Sequence, residues 1–256
     1  MKHDKPQRLL QINSSAKSEK GKKLGYLTGV LYLAPYTLGG SNLCPGAELA
    51  GCHIPCLYTS GRAERFPQIL EGRLRKTRLW HTERHWFMNQ LHREIQALER
   101  KCYREGMKPA VRLNGTSDID WQSEGYTFNR IRYRSLMEAF PHIPFYDYSK
   151  HQMVSKFPNY HLIFSYSGEP AFRPVVDKAL RSGLNLSVVF RNQLPAEFLG
   201  RPVVDGDQHD LIFLYPDGVI VGLKAKGKAR KFEGRFVVDD EALPDKSSAI
   251  PLLNIA

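Results

Sequence analysis

Cys44, Cys52 and Cys56 are three of the four cysteines in the chain, and they fall within thirteen residues at the spacing C-x7-C-x3-C. Thiols returned to one neighbourhood at short intervals suit a single ion or cluster, because each thiolate is a soft, anionic donor. Glycines and prolines in the same stretch, among them Gly39, Gly40, Pro45, Gly46, Gly51 and Pro55, let the backbone turn tightly around whatever the sulfurs bind. Two metal chemistries follow, beside the alternative of unliganded or redox-active thiols. A four-iron, four-sulfur (4Fe-4S) cluster on three cysteines leaves one iron without a protein ligand, open to a small molecule. A zinc ion completed by Cys102, His53, His81 or His85 gives a closed structural site instead. His81 and His85 lie four apart on an expected helix, a spacing that puts two imidazoles on one face, although the same pattern describes an ordinary helix surface.

Short apolar runs alternating with helix-like segments must position these residues. The runs are 26–34 (YLTGVLYLA), 110–113 (AVRL), 144–148 (PFYDY), 160–166 (YHLIFSY), 184–190 (LNLSVVF) and 201–204 (RPVV). Between them a long helix is expected over 77–105, where Leu79, Phe87, Leu91, Ile95 and Leu98 keep helical spacing and Gly106 ends it. Shorter helices are expected near 129–140 and over 170–182. About six βα units of this kind suit either an incomplete βα barrel or an open doubly wound sheet; the preferred expectation is an α/β fold, a partial (βα)6-type barrel with mostly parallel strands. Residues 216–218 (PDG) between two apolar runs add the signal of a C-terminal hairpin. Residues 1–23 read as a flexible basic tail, 24–240 as one α/β domain and 241–256 as a C-terminal extension.

In barrels and open parallel sheets alike, ligands gather where strands end at their carboxyl side. That edge is polar here. It carries Asn114, Ser117 and Asp118 after the second run, Asp147 and Lys150 at the third, Ser165 and Ser167 at the fourth, and Arg191 and Asn192 after the fifth. Asn114, Ser117, Asp118, Asp147 and Lys150 are the candidate catalytic groups; Ser165, Ser167, Arg191 and Asn192 are candidates for orienting a cofactor. The segment 114–120 (NGTSDID) also fits a tight turn followed by a helix cap. The cysteine loop follows the first strand and is expected on the same rim.

The chain has 37 Lys and Arg against 26 Asp and Glu, a net charge of +11, which favours polyanionic partners such as DNA or RNA. Lys224, Lys226, Lys228 and Arg230 are the candidate phosphate contacts: on an extended ribbon, alternating lysines project to one face. A lysine-protected sheet edge is the plain alternative. No apolar run approaches the roughly 20 residues of a membrane span, and no leader is evident, so a soluble protein in the host cytoplasm is expected, with reduced cysteines. Neither GxxxxGK[ST] nor GxGxxG occurs, which removes support for a nucleotide-driven motor or an ordinary dehydrogenase.

The motifs GYLTGVLYLAP, CPGAELAGCHIPCLYTSGR, VRLNGTSDIDW, FYDYSK, YHLIFSYSG and VIVGLKAKG, in this order over roughly residues 24–230, resemble the gene-product-eighty-eight family of actinobacteriophages and plasmids. The resemblance implies a mobile-element origin and no particular reaction. The layout is similar, in architecture only, to radical S-adenosylmethionine enzymes, which carry a three-cysteine cluster loop after the first strand of a partial barrel. That similarity implies an iron–sulfur enzyme using S-adenosylmethionine; the spacing here departs from the C-x3-C-x2-C usual in those enzymes. The other expectation is a non-catalytic nucleic-acid-binding protein whose cysteine loop is fixed by zinc.

Overall fold

A computed structural model describes residues 8–12, 16–59 and 65–239. The elements are β1 (Leu10–Ile12), α1 (Ala16–Lys22), β2 (Tyr26–Leu31), α2 (Pro67–Thr82), α3 (Arg84–Glu105), β3 (Lys108–Arg112), β4 (Tyr126–Phe128), β5 (Ile131–Tyr133), α4 (Leu136–Ala139), β6 (Phe145–Ser149), β7 (Tyr160–Ser165), α5 (Arg173–Arg181), β8 (Leu186–Phe190), β9 (Glu197–Phe198), β10 (Arg201–Asp205), β11 (Ile220–Lys224) and β12 (Val237–Val238). Ten strands form one sheet in the order β1-β2-β3-β6-β7-β8-β11-β10-β9, with β12 also pairing β8. Among the described residues of this sheet, only β1 and β9 run antiparallel to their neighbours. The fold is therefore mixed α/β with a mostly parallel central sheet, and the strand order ends at β1 and β9 without closing into a barrel.

Alternation along the strands sorts the apolar side chains into two layers. Leu27, Val111, Phe145, Phe164, Leu186 and Ile220 are linked by register on one face. This face packs against α3 at the β2–β3–β6 end and against α5 at the β8 end. On α3 the buried set Phe87, Leu91, Ile95 and Leu98 follows the expected period; each such side chain contributes about 1.5–3 kcal/mol when fully buried. Ala110, Tyr146, Ile163 and Val221 face the other way and are covered by Leu211, Ile212 and Phe213.

Four expectations are corrected. The helix expected over 77–105 is two helices, broken at Glu83 (φ −133°, ψ 48°), with α2 starting at Pro67. The bend lets Trp80 of α2 meet Phe87 of α3, ring centroids 5.4 Å apart. The region near 129–140 holds a β4–β5 hairpin before the short α4. Asn129 (φ 48°) and Arg130 (φ 67°) are its two turn residues, and both adopt the left-handed conformation that a two-residue hairpin requires. The C-terminal hairpin is absent: β11 is hydrogen-bonded in parallel to β8 on one side and β10 on the other, so residues 210–215 find no free edge. Ile212–Leu214 form a short 3-10 turn, and Leu211 and Ile212 are buried over the second sheet face.

Finally, the described residues of the stretch read as a tail supply β1 and α1, and Glu94 of α3 accepts from the Leu9 and Leu10 amides at 2.9 and 2.7 Å; residues 1–7 and 13–15 lie outside the described residues. Residues 241–256 lie outside the described residues. No helix among the described residues is long and apolar enough to cross a membrane.

Candidate cysteine-loop site

The loop after β2 is laid across the carboxyl ends of β3, β6 and β7, and each tie is specific. Asp118 N–H donates to Leu43 O at 2.8 Å, joining the loop to the segment after β3. Ser167 Oγ donates to Ala50 O at 2.8 Å, joining it to the segment after β7. At Gly46 a Cβ would stand 2.9 Å from Lys150 Cβ, so only glycine allows this approach to the end of β6. Gly51 has φ +64° and lies against Glu169, whose Oε1 accepts from Arg235 N at 2.6 Å.

This packing brings Cys44, Cys52 and Cys56 within electrostatic reach of Lys150. All three are half-buried and outside any disulfide among the described residues. Cys44 Sγ accepts from Tyr36 N at 3.3 Å and lies 3.9 Å from Thr116 O. Burial raises all three thiols above their ordinary range; for Cys44 the neighbouring Asp118, Cys56 and Cys52 add to the effect. Lys150 is lowered by burial, against the pull of Cys52, Asp118, Cys44 and Cys56. Among the described residues no group of three or more His, Cys, Asp and Glu side chains is closed into a metal-ligating arrangement. The thiols share one rim without meeting at one point.

As a donor set they nevertheless fit a group that takes three thiolates: they are soft, partly shielded from water, and a lysine offsets their charge. The fourth ligands considered for zinc are placed differently from one another. Cys102 is buried in the core near the start of β2, and burial pushes its thiol up to about 11. His53 Nδ1 lies 3.2 Å from Ala47 O within its own loop, and its ring stands against Tyr36. His81 Nε2 lies 2.6 Å from Ser41 Oγ, and His85, beyond the break at Glu83, is exposed.

The rim residues separate into two groups. Asp118 faces the cysteines: Oδ2 accepts from Lys150 N at 2.8 Å and lies 3.1 Å from His151 Nδ1, while Oδ1 is buried with no hydrogen-bond partner. The bond to Asp118 raises the His151 imidazole above its ordinary value. Ser165 also faces inward, its hydroxyl accepting from Lys150 Nζ at 3.1 Å.

Asn114 and Asp147 instead form a buried lock beneath the rim. Asn114 Oδ1 accepts from Ser117 Oγ, Ile119 N and Trp121 Nε1 at 2.9, 2.9 and 3.0 Å. Asp147 accepts from Asn114 N at 2.7 Å and Tyr160 OH at 3.0 Å. Thus Asn114, Ser117 and Asp147 do for the turn what a cap does for a helix, and their polar capacity is spent on the chain itself.

Asp147 makes stability depend on pH. Burial pushes its carboxyl from the ordinary 3.8 up to about 7, outweighing Arg112 and the donors Asn114 and Tyr160. A carboxyl harder to ionise in the folded state binds more protons there between the two values, so stability is full below about pH 4 and falls as pH rises through about 7. Urea unfolding at both ends of that window is expected to show the fall in the native protein and a flatter profile in Asp147→Asn. Equal slopes in the two proteins would remove Asp147 as the source.

The remaining candidates sit outside the thiol neighbourhood. Arg191 pairs with Asp239 and donates to Arg230 O and Phe232 O, each at 2.7 Å, so it pins the chain after β11. Asn192 is exposed beside it. Lys224 ends β11, and residues 227–231 form a 3-10 turn, so Lys224, Lys226, Lys228 and Arg230 do not alternate along one extended ribbon. Lys226 Nζ is paired with Asp207 at 2.7 Å; Lys224, Lys228 and Arg230 are exposed. That turn packs against residues 57–59, the end of the cysteine loop.

Arg73 and Tyr32 are the site residues that sequence reasoning missed. Arg73 of α2 is 8% exposed, its guanidinium 5.1 Å from the Tyr32 ring centroid and within electrostatic reach of Cys56. Its helical register with Thr77 and Trp80, both buried, was the available signal.

The family model described as Gene product 88 matches residues 8–239. No curated protein and no solved structure matches the chain.

Proposed function

We propose, for a chain that belongs to the Gene product 88 family, an iron–sulfur enzyme of mobile-element origin in which Cys44, Cys52 and Cys56 are the protein ligands of a 4Fe-4S cluster. The observation that carries this reading is the set of three thiols on one rim, within electrostatic reach of Lys150 and tied to the carboxyl ends of β3, β6 and β7. Strands β2, β3, β6, β7 and β8 are parallel neighbours in chain order, as in a singly wound partial barrel. That is the layout in which radical S-adenosylmethionine enzymes hold their cluster loop, and it supports the finer architecture within the same reading. A cluster bound through three thiolates supplies an iron open to a small molecule, here S-adenosylmethionine, together with a source of single electrons.

The chain's own residues then have distinct tasks. Ser167 and Gly46 fix the loop, and Lys150 offsets the thiolate charge. Asp118 offers its unpartnered Oδ1 to a donor on the cofactor. Anaerobic preparation with ferrous iron and sulfide is expected to give a brown protein with about four irons and four sulfides per chain. A colourless protein with stoichiometric zinc would overturn this and favour the zinc-stabilised binding protein.

One observation favours nucleic acid as partner under either chemistry: the exposed basic turn around Lys228 and Arg230 abuts the end of the cysteine loop. Neutralising Lys224, Lys228 and Arg230 together is expected to weaken DNA or RNA binding similarly across sequences. It should also reduce the slope of log affinity against log salt by about 2 to 3. Lys226, already paired with Asp207, should contribute least. Mobility shifts at several salt concentrations check this, and no binding at low salt by the native protein would leave the charge as a solvated surface.

A further inference from the structure

Lys150 is 7% exposed, and its ammonium donates to three neutral acceptors: Ser165 O at 3.0 Å, Ser165 Oγ at 3.1 Å and Tyr166 O at 3.5 Å. Phe236 and Phe172 flank it, with ring centroids 4.7 and 5.5 Å away. Among the described residues it makes no ion pair with a carboxylate; the anion-forming groups within its reach are Cys52, Asp118, Cys44 and Cys56. Arg73 approaches from a different element, α2, and its buried Nε has no hydrogen-bond partner. It too makes no carboxylate ion pair among the described residues, and Tyr32 and Cys56 are the groups it faces.

Burying two cations without partner carboxylates is costly, and such a cost is offset when the cations face anions of a bound group. Three thiolates are such anions. Placed in a site of low polarity, they and the group they ligate need compensating positive charge close by, and charge at this range also tunes how readily that group accepts an electron.

We propose that Lys150 and Arg73 are the fixed counter-charges of the cysteine loop, offsetting the charge of the three thiolates and setting the reduction potential of the cluster they hold. This rests on the iron–sulfur reading above. Lys150 lies within electrostatic reach of all three sulfurs and Arg73 within reach of Cys56, so Lys150 has the larger effect. Both act through the ligands and are positioning residues; neither is assigned a reacting atom.

The test uses the full chain, reconstituted anaerobically with ferrous iron and sulfide, in the native form and as Lys150→Met, Lys150→Arg and Arg73→Met. The readout is the one-electron midpoint potential from an optical redox titration, with iron and sulfide content measured alongside. Lys150→Met is expected to disfavour reduction by about tenfold, a midpoint about 59 mV more negative for one electron. Arg73→Met should shift it less in the same direction, and Lys150→Arg, which keeps the charge, should stay close to the native value. Full loading of Lys150→Arg beside failed loading of a folded Lys150→Met also supports the assignment.

A native midpoint in both methionine variants would overturn the inference and leave the iron–sulfur reading standing. So would equal failure of Lys150→Met and Lys150→Arg to load with native unfolding curves, since the site would then need the shape of lysine and not its charge. A native protein that takes up no iron and sulfide overturns the functional reading itself. If Lys150→Met does not fold, Arg73→Met on its separate helix carries the test.

Discussion

Alanine at Cys44, Cys52 or Cys56 is expected to strip iron and sulfide from the reconstituted protein, each replacement alone reducing both to a small fraction of the native content. A cluster with three protein ligands has none to spare, and a site left with two thiolates exchanges its metal readily. Cys102→Ala is the internal control. Its sulfur is packed in the core beside residues at the start of β2, away from the loop laid over the strands' carboxyl ends. It should keep full iron and lose only about 1 kcal/mol of stability as a small buried group is trimmed. Iron loss in Cys102→Ala equal to that of the other three would make the site a closed four-cysteine one. Native iron content in all four variants would remove the loop as a metal site.

The strands were legible because each is a short apolar run ended by polar residues, and the runs at 26–34, 110–113, 144–148, 160–166, 184–190 and 201–204 all overlap sheet strands. Breaks that depend on tertiary contacts were not legible. Nothing in HTERH announces the bend at Glu83, whose benefit is the contact of Trp80 with Phe87 and with Trp121, a residue distant in the chain. The run 210–215 is as apolar as a strand, yet β8 and β10 already occupy both sides of β11, and edge occupancy is a property of the whole sheet.

The candidate site divides along the same line. Asp118, Lys150, Ser165 and Ser167 were singled out because strand ends are where a parallel sheet exposes polar side chains, and the structure brings all four against the cysteine loop or one another. Arg191 stands at an equally suggestive position, but its fork matches two carbonyls of the chain after β11 and is used there. Position in the sequence places a residue on the rim; only its partners decide whether it faces a ligand or holds the chain.

Asn114 is the sharpest case of that distinction, and Asn114→Ala is expected to cost about 3 to 5 kcal/mol of folding stability. From sequence, this residue stands at the rim and outside the core, where its loss would impair ligand handling and spare the fold. Its side chain is instead 2% exposed and joins four partners: Oδ1 accepts from Ser117, Ile119 and Trp121, and Nδ2 donates to Ile119 O at 2.9 Å and Asp147 Oδ2 at 3.3 Å. Alanine leaves the Trp121 indole N–H and the Ile119 amide without an acceptor in a buried place, and each unsatisfied group costs about 1–3 kcal/mol. Partial relaxation keeps the total below the simple sum. Ser117→Ala removes one of the same bonds but leaves no buried donor stranded, so about 1 kcal/mol is expected there. Urea unfolding of the two variants beside the native protein measures both, and iron content in the folded state separates stability from site chemistry. A midpoint for Asn114→Ala within about 0.5 kcal/mol of native, with iron uptake lost, would return Asn114 to the ligand-handling group; the reverse pattern makes the turn after β3 the foundation on which Asp118 is presented to the cysteines.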